Sequence, residues 1–181
     1  MSSIVLTGDT SGTVTVSAPA VAGTNTITLP ASSGTLSNTP AFAVKVGTAQ
    51  SLSETTITKV NFDTEHFDTD SAFNTTLNRF TVPTGKAGKY FISSFLRVNS
   101  ETSSNLLSIQ AYIYKNGSAY VLTNEATSAN YTTAATPNLT AVLDLLEGDY
   151  IEIYIYLNTI DNTGGSVTAG YTDFSGYKLI T

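Results

Sequence analysis

The sequence predicts an all-β protein: an antiparallel jelly-roll sandwich of about eight to ten strands, preceded by an extended N-terminal β arm. Three observations carry this expectation. Only 12% of the 181 residues are charged, about half the usual share, and Thr, Ser and Asn stand in their place. Such a composition, rich in β-branched residues, favours sheet over helix. Apolar and polar residues also alternate in short runs that stop at Gly, Pro or Asn-Gly. Finally, residues 1–39 hold no aromatic side chain and a single charge, Asp9, whereas every Phe and Tyr lies from Phe42 onward. The first stretch cannot bury a core of its own, and the second can. The expected division is an attachment or trimerisation arm over 1–39 and a globular head over 40–181.

Within the arm, Ile4, Val5 and Leu6 form a first strand-like piece before the turn-rich run from Thr7 to Gly12. Val14 and Val16 mark a second, which stops at Ala18-Pro19. Residues 24–29, with Ile27 and Leu29, form a third, which stops at Pro30. The head begins near Pro40. Its expected strands are 41–46, 55–62 (with Ile57 and Val60 near the middle) and 79–82, then 88–98 and 106–115. A two-residue hairpin at Asn116-Gly117 leads to 119–122. After a turn-rich, polar stretch at 130–136 come 139–145, the turn at Glu147-Gly148-Asp149, 150–157 and 171–180. No helix is expected.

Period-two alternation assigns faces. In 150–157 the odd positions are Ile151, Ile153, Ile155 and Leu157, a core face. The even positions, Tyr150, Glu152, Tyr154 and Tyr156, therefore point outward. Strand 106–115 divides in the same way, with Tyr112 and Tyr114 outward. If the two strands are neighbours, these tyrosines form one patch. Tyrosine offers a large contact area with few torsions and suits protein or sugar surfaces; cross-strand pairing on a solvated sheet is the plainer reading. Strand 88–98 is apolar on both sides. Tyr90, Ile92, Leu96 and Val98 share one face, and Phe91 and Phe95 the other. A strand of this kind must be covered on both sides.

Composition excludes several functions. The 8 basic and 14 acidic residues give a net charge of −6 with no basic run, so no nucleic-acid partner is expected. Cysteine is absent, which removes disulfides, thiolate metal sites and cysteine catalysis. No stretch of about eighteen apolar residues exists, so no membrane insertion is expected. The first residues lack a basic and apolar leader, and synthesis in the cytoplasm is the expectation. The single histidine, His66, could form a triad only with Asp63 or Asp68 and a serine such as Ser71, a weak pattern in a serine-rich chain. Glu147 and Asp149 read as turn residues rather than a glycosidase pair. No catalytic residue and no cofactor is expected. The one metal candidate is calcium, through Asp63, Glu65, Asp68 and Asp70, against the plainer reading of a solvated acidic loop.

Several motifs of the head resemble one known family. Pro40-Ala41-Phe42-Ala43-Val44, Asn78-Arg79-Phe80-Thr81-Val82-Pro83 and Gly88-Lys89-Tyr90-Phe91-Ile92 are similar to the opening, second and central blocks of the complement-q and tumour-necrosis-factor superfamily. So are Leu145-Leu146-Glu147-Gly148-Asp149 and the closing Phe174-Ser175-Gly176-Tyr177. The resemblance implies a homotrimer in which one sheet faces a threefold axis. On that reading Tyr90, Ile92, Leu96 and Val98 would be the trimer interface, and Tyr112, Tyr114, Tyr150, Tyr154 and Tyr156 an outer patch for a partner or receptor. The arm, through Gly12-Thr13-Val14-Thr15-Val16 and Gly23-Thr24-Asn25-Thr26-Ile27, resembles segments of bacteriophage fibre and virion proteins. Together the two imply a non-enzymatic virion surface protein, made in the host cytoplasm. It would be a capsid decoration (cement) or head-fibre protein held by its arm to a major capsid or tail protein. The alternative is a short tail fibre that recognises a host surface glycan or protein. A lectin-like or cytokine-like binding module and an enzyme are the remaining classes.

Overall fold

In the computed structural model, residues 3–7, 11–17, 19–21, 23–24, 39–126 and 132–179 are described. Contacts divide the chain into two units, 1–37 and 38–181. The described residues of the first form one hairpin, β1 (Ser3–Thr7) and β2 (Thr13–Ser17). Its register sets Ile4 against Val16 and Leu6 against Val14, so four aliphatic positions share one face. The other face pairs Ser3 with Ser17, Val5 with Thr15 and Thr7 with Thr13. Ile4, Leu6 and Val16 are each more than half exposed. The third expected arm strand, with Ile27 and Leu29, lies outside the described residues.

The second unit is a sandwich. In chain order its strands are β3 (Ala41–Lys45), β4 (Gln50–Leu52), β5 (Thr58–Lys59), β6 (Thr64–Asp68), β7 (Phe73–Asn74) and β8 (Arg79–Thr81). There follow β9 (Gly88–Phe95), β10 (Val98–Ser100), β11 (Leu106–Lys115), β12 (Ser118–Ala126) and β13 (Ala134–Ala135). The last four are β14 (Asn138–Leu145), β15 (Tyr150–Thr159), β16 (Gly165–Val167) and β17 (Asp173–Lys178). One sheet runs β14-β9-β17-β3-β6 and a second runs β12-β11-β15-β8-β7, with β5 also paired to β15. A small third sheet runs β13-β10-β16-β4. No helix occurs among the described residues, and none is long and apolar enough to cross a membrane.

The two large sheets meet through aromatic side chains. Phe42 of β3 stacks on Phe80 of β8 at 4.6 Å between centroids and meets Phe174 of β17 edge-on at 4.9 Å. Aliphatic residues of β9, β11, β14 and β15 complete the same buried cluster. Gly176 shows how tightly β17 is fitted. A Cβ there would lie 2.7 Å from Ile92 Cδ1, 2.9 Å from Phe42 Cε1 and 3.0 Å from the Phe91 carbonyl oxygen. The backbone carbonyl cannot withdraw without breaking the ladder, so this position takes no side chain.

Three expectations change. Tyr90, Ile92, Leu96 and Val98 are buried in the subunit's own core, so they cannot form the interface assigned to them. Alternation in β9 does place them together, but the inward face is theirs, and Phe91 and Phe95 face out. The strand expected over 88–98 also breaks after Phe95, and Val98 begins β10 in the third sheet. Over 55–62 only Thr58–Lys59 forms a strand; Thr55 sits in a turn at φ 50° and Ile57 is exposed.

The hairpin at Asn116-Gly117 forms as expected, with φ of 52° and 77°. Its asparagine also anchors the neighbouring turn: Asn116 Nδ2 donates to Asp149 at 2.7 Å. Lys115 Nζ lies 2.9 Å from the same carboxylate, and the Leu146 amide donates to it at 2.9 Å. These partners, Asn116 first, hold Asp149 at about 2, below its ordinary 3.8. A carboxyl depressed in the folded state stabilises it above the unfolded value, and that contribution is lost as pH falls. Stability should therefore decline between pH of about 4 and about 2, and Asp149→Asn should flatten part of that decline. Thermal melts across this range check it; an unchanged slope in the variant refutes it.

Candidate functional site

Two faces of the sandwich carry unusual side chains. The first is the outward face of the second sheet. Because β11 and β15 pair antiparallel, Tyr112 stands opposite Tyr154, Gln110 opposite Tyr156 and Tyr114 opposite Glu152. Of the tyrosines expected to converge, three make ring contacts: Tyr114 lies 4.1 Å from Tyr154 and 5.9 Å from Tyr112, centroid to centroid. Burial first, and then the hydroxyls of Tyr114 and Tyr156, push the Tyr112 phenol up. Burial also raises Tyr154, with the Glu152 carboxylate next. Both phenols thus stay neutral and able to donate. Tyr150 stands apart from this group. It lies beyond Glu152 on β15 and packs under Arg79, whose guanidinium carbon is 4.5 Å from its ring centroid.

Charged side chains frame the floor. Glu152 is buried, although it belongs to the outward face, because Lys59 of β5 covers it at 2.6 Å. The Lys59 ammonium also donates to the Leu77 carbonyl at 3.2 Å and lies 5.8 Å from the Tyr154 ring. Arg79 reaches the same region from β8, where the ladder sets Phe80 against Ile151. No carboxylate pairs with Arg79 among the described residues. The sequence offered a signal for Glu152, which shares the even positions of 150–157. It offered none for Lys59 or Arg79, whose strands are two and three residues long.

The second face is the outward side of the first sheet. Register places Val142, Phe91, Tyr177 and Ala41 side by side across β14, β9, β17 and β3. Phe91 and Tyr177 are in ring contact at 5.4 Å. Val142, Tyr177, Phe67 and Phe95 remain 58%, 47%, 49% and 41% exposed. Between the aromatics lie the small residues Ser93, Ser175 and Ala43. No charge interrupts the central rows, so this face is an uncharged surface with an apolar row, Val142, Phe91, Tyr177 and Ala41, without cover in one subunit.

The calcium candidates do not converge. Asp63 accepts from the Gly47 and Thr48 amides at 2.5 and 3.0 Å. Asp68 accepts from the Asp70 and Phe73 amides at 3.2 and 2.7 Å, and Asp70 accepts from the Thr69 hydroxyl. Glu65 points into solvent. Among the described residues no three acidic or histidine side chains are placed to hold a metal. His66 is exposed and bonds to neither Asp63 nor Asp68. Glu147 accepts from the Gly85 amide at 3.0 Å and lines a cleft of about 420 Å³ beside Asp70 and Pro83.

Comparison with known proteins fits this architecture. The C1q domain model matches residues 41–179. The chain belongs to the C1q domain family. Its solved structural neighbours include the globular domain of zebrafish complement 1qA, with a TM-score of 0.58 and 16% identity, covering 78% of this chain and 98% of that one. Murine APRIL is similar at a TM-score of 0.58 and 13% identity, covering 78% of this chain and all of that one. At such identities the likeness is one of fold. Among curated proteins, the phage-like element PBSX protein XkdV of Bacillus subtilis (strain 168) is 32% identical over 127 residues, which is 65% of this chain. The chain corresponds to 17% of that protein's length. Within the C1q framework the apolar outward face belongs to the sheet containing β9 and β17, and the tyrosine floor to the opposite sheet.

Proposed function

We propose that this chain is a non-enzymatic, homotrimeric structural protein of a phage particle. The observation that carries the reading is the relationship to a phage-like element protein combined with a C1q domain. The trimer forms through the outward face of the first sheet, where Phe91, Phe95, Val142 and Tyr177 give each subunit an apolar surface to share about a threefold axis. The N-terminal arm, 1–39, is the anchor. Its hairpin presents Ile4, Leu6 and Val16 to the outside, and a lone two-stranded ribbon needs a partner sheet or partner copies to be stable. The partner is the major capsid or a tail protein, and the head projects from the particle surface as a decoration or head-fibre protein. Three linked weak contacts hold far better than one.

A second reading is supported by the tyrosine floor. There the protein is a short tail fibre, and the outer sheet recognises a glycan or protein of the host surface. Counting copies in purified particles separates the two. Hundreds of copies per particle are expected for decoration, and a few tens or fewer for a fibre. A chain lacking 1–39 should still fold, because the head has its own core, but should be lost from particles. Incorporation of the truncated chain would overturn the anchoring role, and absence of the full chain from particles would overturn the structural assignment.

A further inference from the structure

We infer that the outward face of the second sheet binds an acidic polysaccharide, with Arg79 taking the anionic group and the tyrosines taking the sugar rings. The inference rests on the reading of this face as a host-recognition surface. Two features commit it to that ligand.

The first is charge. Glu152 is the carboxylate inside the floor, and Lys59 already neutralises it at 2.6 Å. Arg79 arrives beside Tyr150 with no ion-pair partner among the described residues, and its Nε is buried without a hydrogen-bond partner. The face therefore carries one uncompensated cation on a protein whose net charge is −6. A planar guanidinium matches a carboxylate or phosphate with two parallel hydrogen bonds. Because the whole protein repels polyanions at long range, any binding of one must be local and must depend on this side chain.

The second is the arrangement of the rings. Tyr112 and Tyr114 lie two residues apart on β11, and Tyr154 and Tyr156 two residues apart on β15. Each pair is spaced about 7 Å along its strand. The rings of Tyr112, Tyr114 and Tyr154 lean on one another, so these three lose little side-chain freedom on binding. Tyr112 and Tyr114 stand edge to face at 77° and Tyr114 and Tyr154 are tilted by 31°, so the floor is a ridged row of rings, which suits a linear chain of repeating rings better than a partner that inserts one large anchor. Phenol hydroxyls and Gln110 supply donors and acceptors at the edges of the rings, and Tyr112 already donates to Gln110.

Isothermal titration of the full chain with polygalacturonate, hyaluronate and neutral dextran tests this. At least one acidic polymer should bind tenfold or more tightly than dextran. Arg79→Gln should remove that preference and weaken the acidic polymer tenfold or more. Arg79→Lys should recover part of it, and Tyr112→Ser with Tyr156→Ser should weaken both classes. Melting curves confirm that the variants are folded, and Lys59 is left intact because it covers Glu152. Dextran bound as well as the acidic polymers, no acidic polymer bound, or full affinity in Arg79→Gln overturns the inference. Adsorption of the same proteins to host cells separates it from the reading beneath. If the tyrosine variant loses adsorption while no acidic polymer competes, the face recognises a protein and only the inference falls. Unchanged adsorption of that variant removes the recognition reading itself.

Discussion

Phe42→Ala should lower the free energy of unfolding of the head by about 3–5 kcal/mol, among the larger effects that one buried side chain produces. Phe42 is a junction. Its ring stacks on Phe80 at 4.6 Å and on Phe73 at 5.6 Å, and it meets Phe174 edge-on. Those partners sit on β8, β7 and β17, so the one ring joins both large sheets. The cavity left behind cannot collapse, because hydrogen-bonded ladders fix the backbone on either side, and the transfer and cavity contributions add. Urea unfolding at one protein concentration should show a midpoint lower by roughly 2 M at an unchanged slope. Leu146→Ala is the control. Leu146 is 68% exposed in a turn, and its truncation should stay within about 0.5 kcal/mol. A loss below about 1 kcal/mol for Phe42→Ala would mean that the aromatic cluster does not join the sheets as described.

The same residues show how far a sequence can be read. Alternation correctly set Tyr112 and Tyr154 on the outward side, because the opposite positions, Ile109 to Ile113 and Ile151 to Leu157, are aliphatic without exception. Asn116-Gly117 likewise specifies its own turn. In β9 the rule has nothing to act on. Tyr90 and Ile92 on one face compete with Phe91 and Phe95 on the other, and hydrophobicity is nearly equal. The structure resolves this in an unexpected way: Ser94 is buried, its hydroxyl donating to the Asp173 carbonyl at 2.8 Å, while Phe95 is exposed. A buried serine whose partner lies 79 residues away leaves no local signal. Arg79 and Lys59 were hidden for a related reason. Their strands are too short to show a period, and only the pairing of distant strands brings them to the tyrosine floor. The acidic run from Asp63 to Asp70 misleads in the opposite sense. Its carboxylates look clustered in sequence, but Asp63, Asp68 and Asp70 are spent individually on backbone amides and a hydroxyl, and Glu65 points into solvent.

Replacing Phe91 and Tyr177 together by glutamate should convert the proposed trimer into a folded monomer. The two rings touch at 5.4 Å at the middle of the uncovered face, so six carboxylates would meet about the proposed threefold axis. Burying even a paired ion in such a contact costs several kcal/mol, and like charges add repulsion. Multi-angle light scattering should give three chain masses for the wild type and one for the variant. Within a subunit the same change is tolerable, since Tyr177 is half exposed and Phe91 lies on the outward face. Tyr90→Glu, one residue away, should instead unfold the subunit. It would place a carboxylate where a fully buried phenol, held at about 12 by burial and by Asp70, donates to the Lys86 carbonyl at 2.7 Å. The contrast tests the two faces of β9 separately. A variant at Phe91 and Tyr177 that remains trimeric would move the shared surface elsewhere. A Tyr90→Glu chain that stays folded but dissociates would return the interface to the side of the strand that the structure places inside.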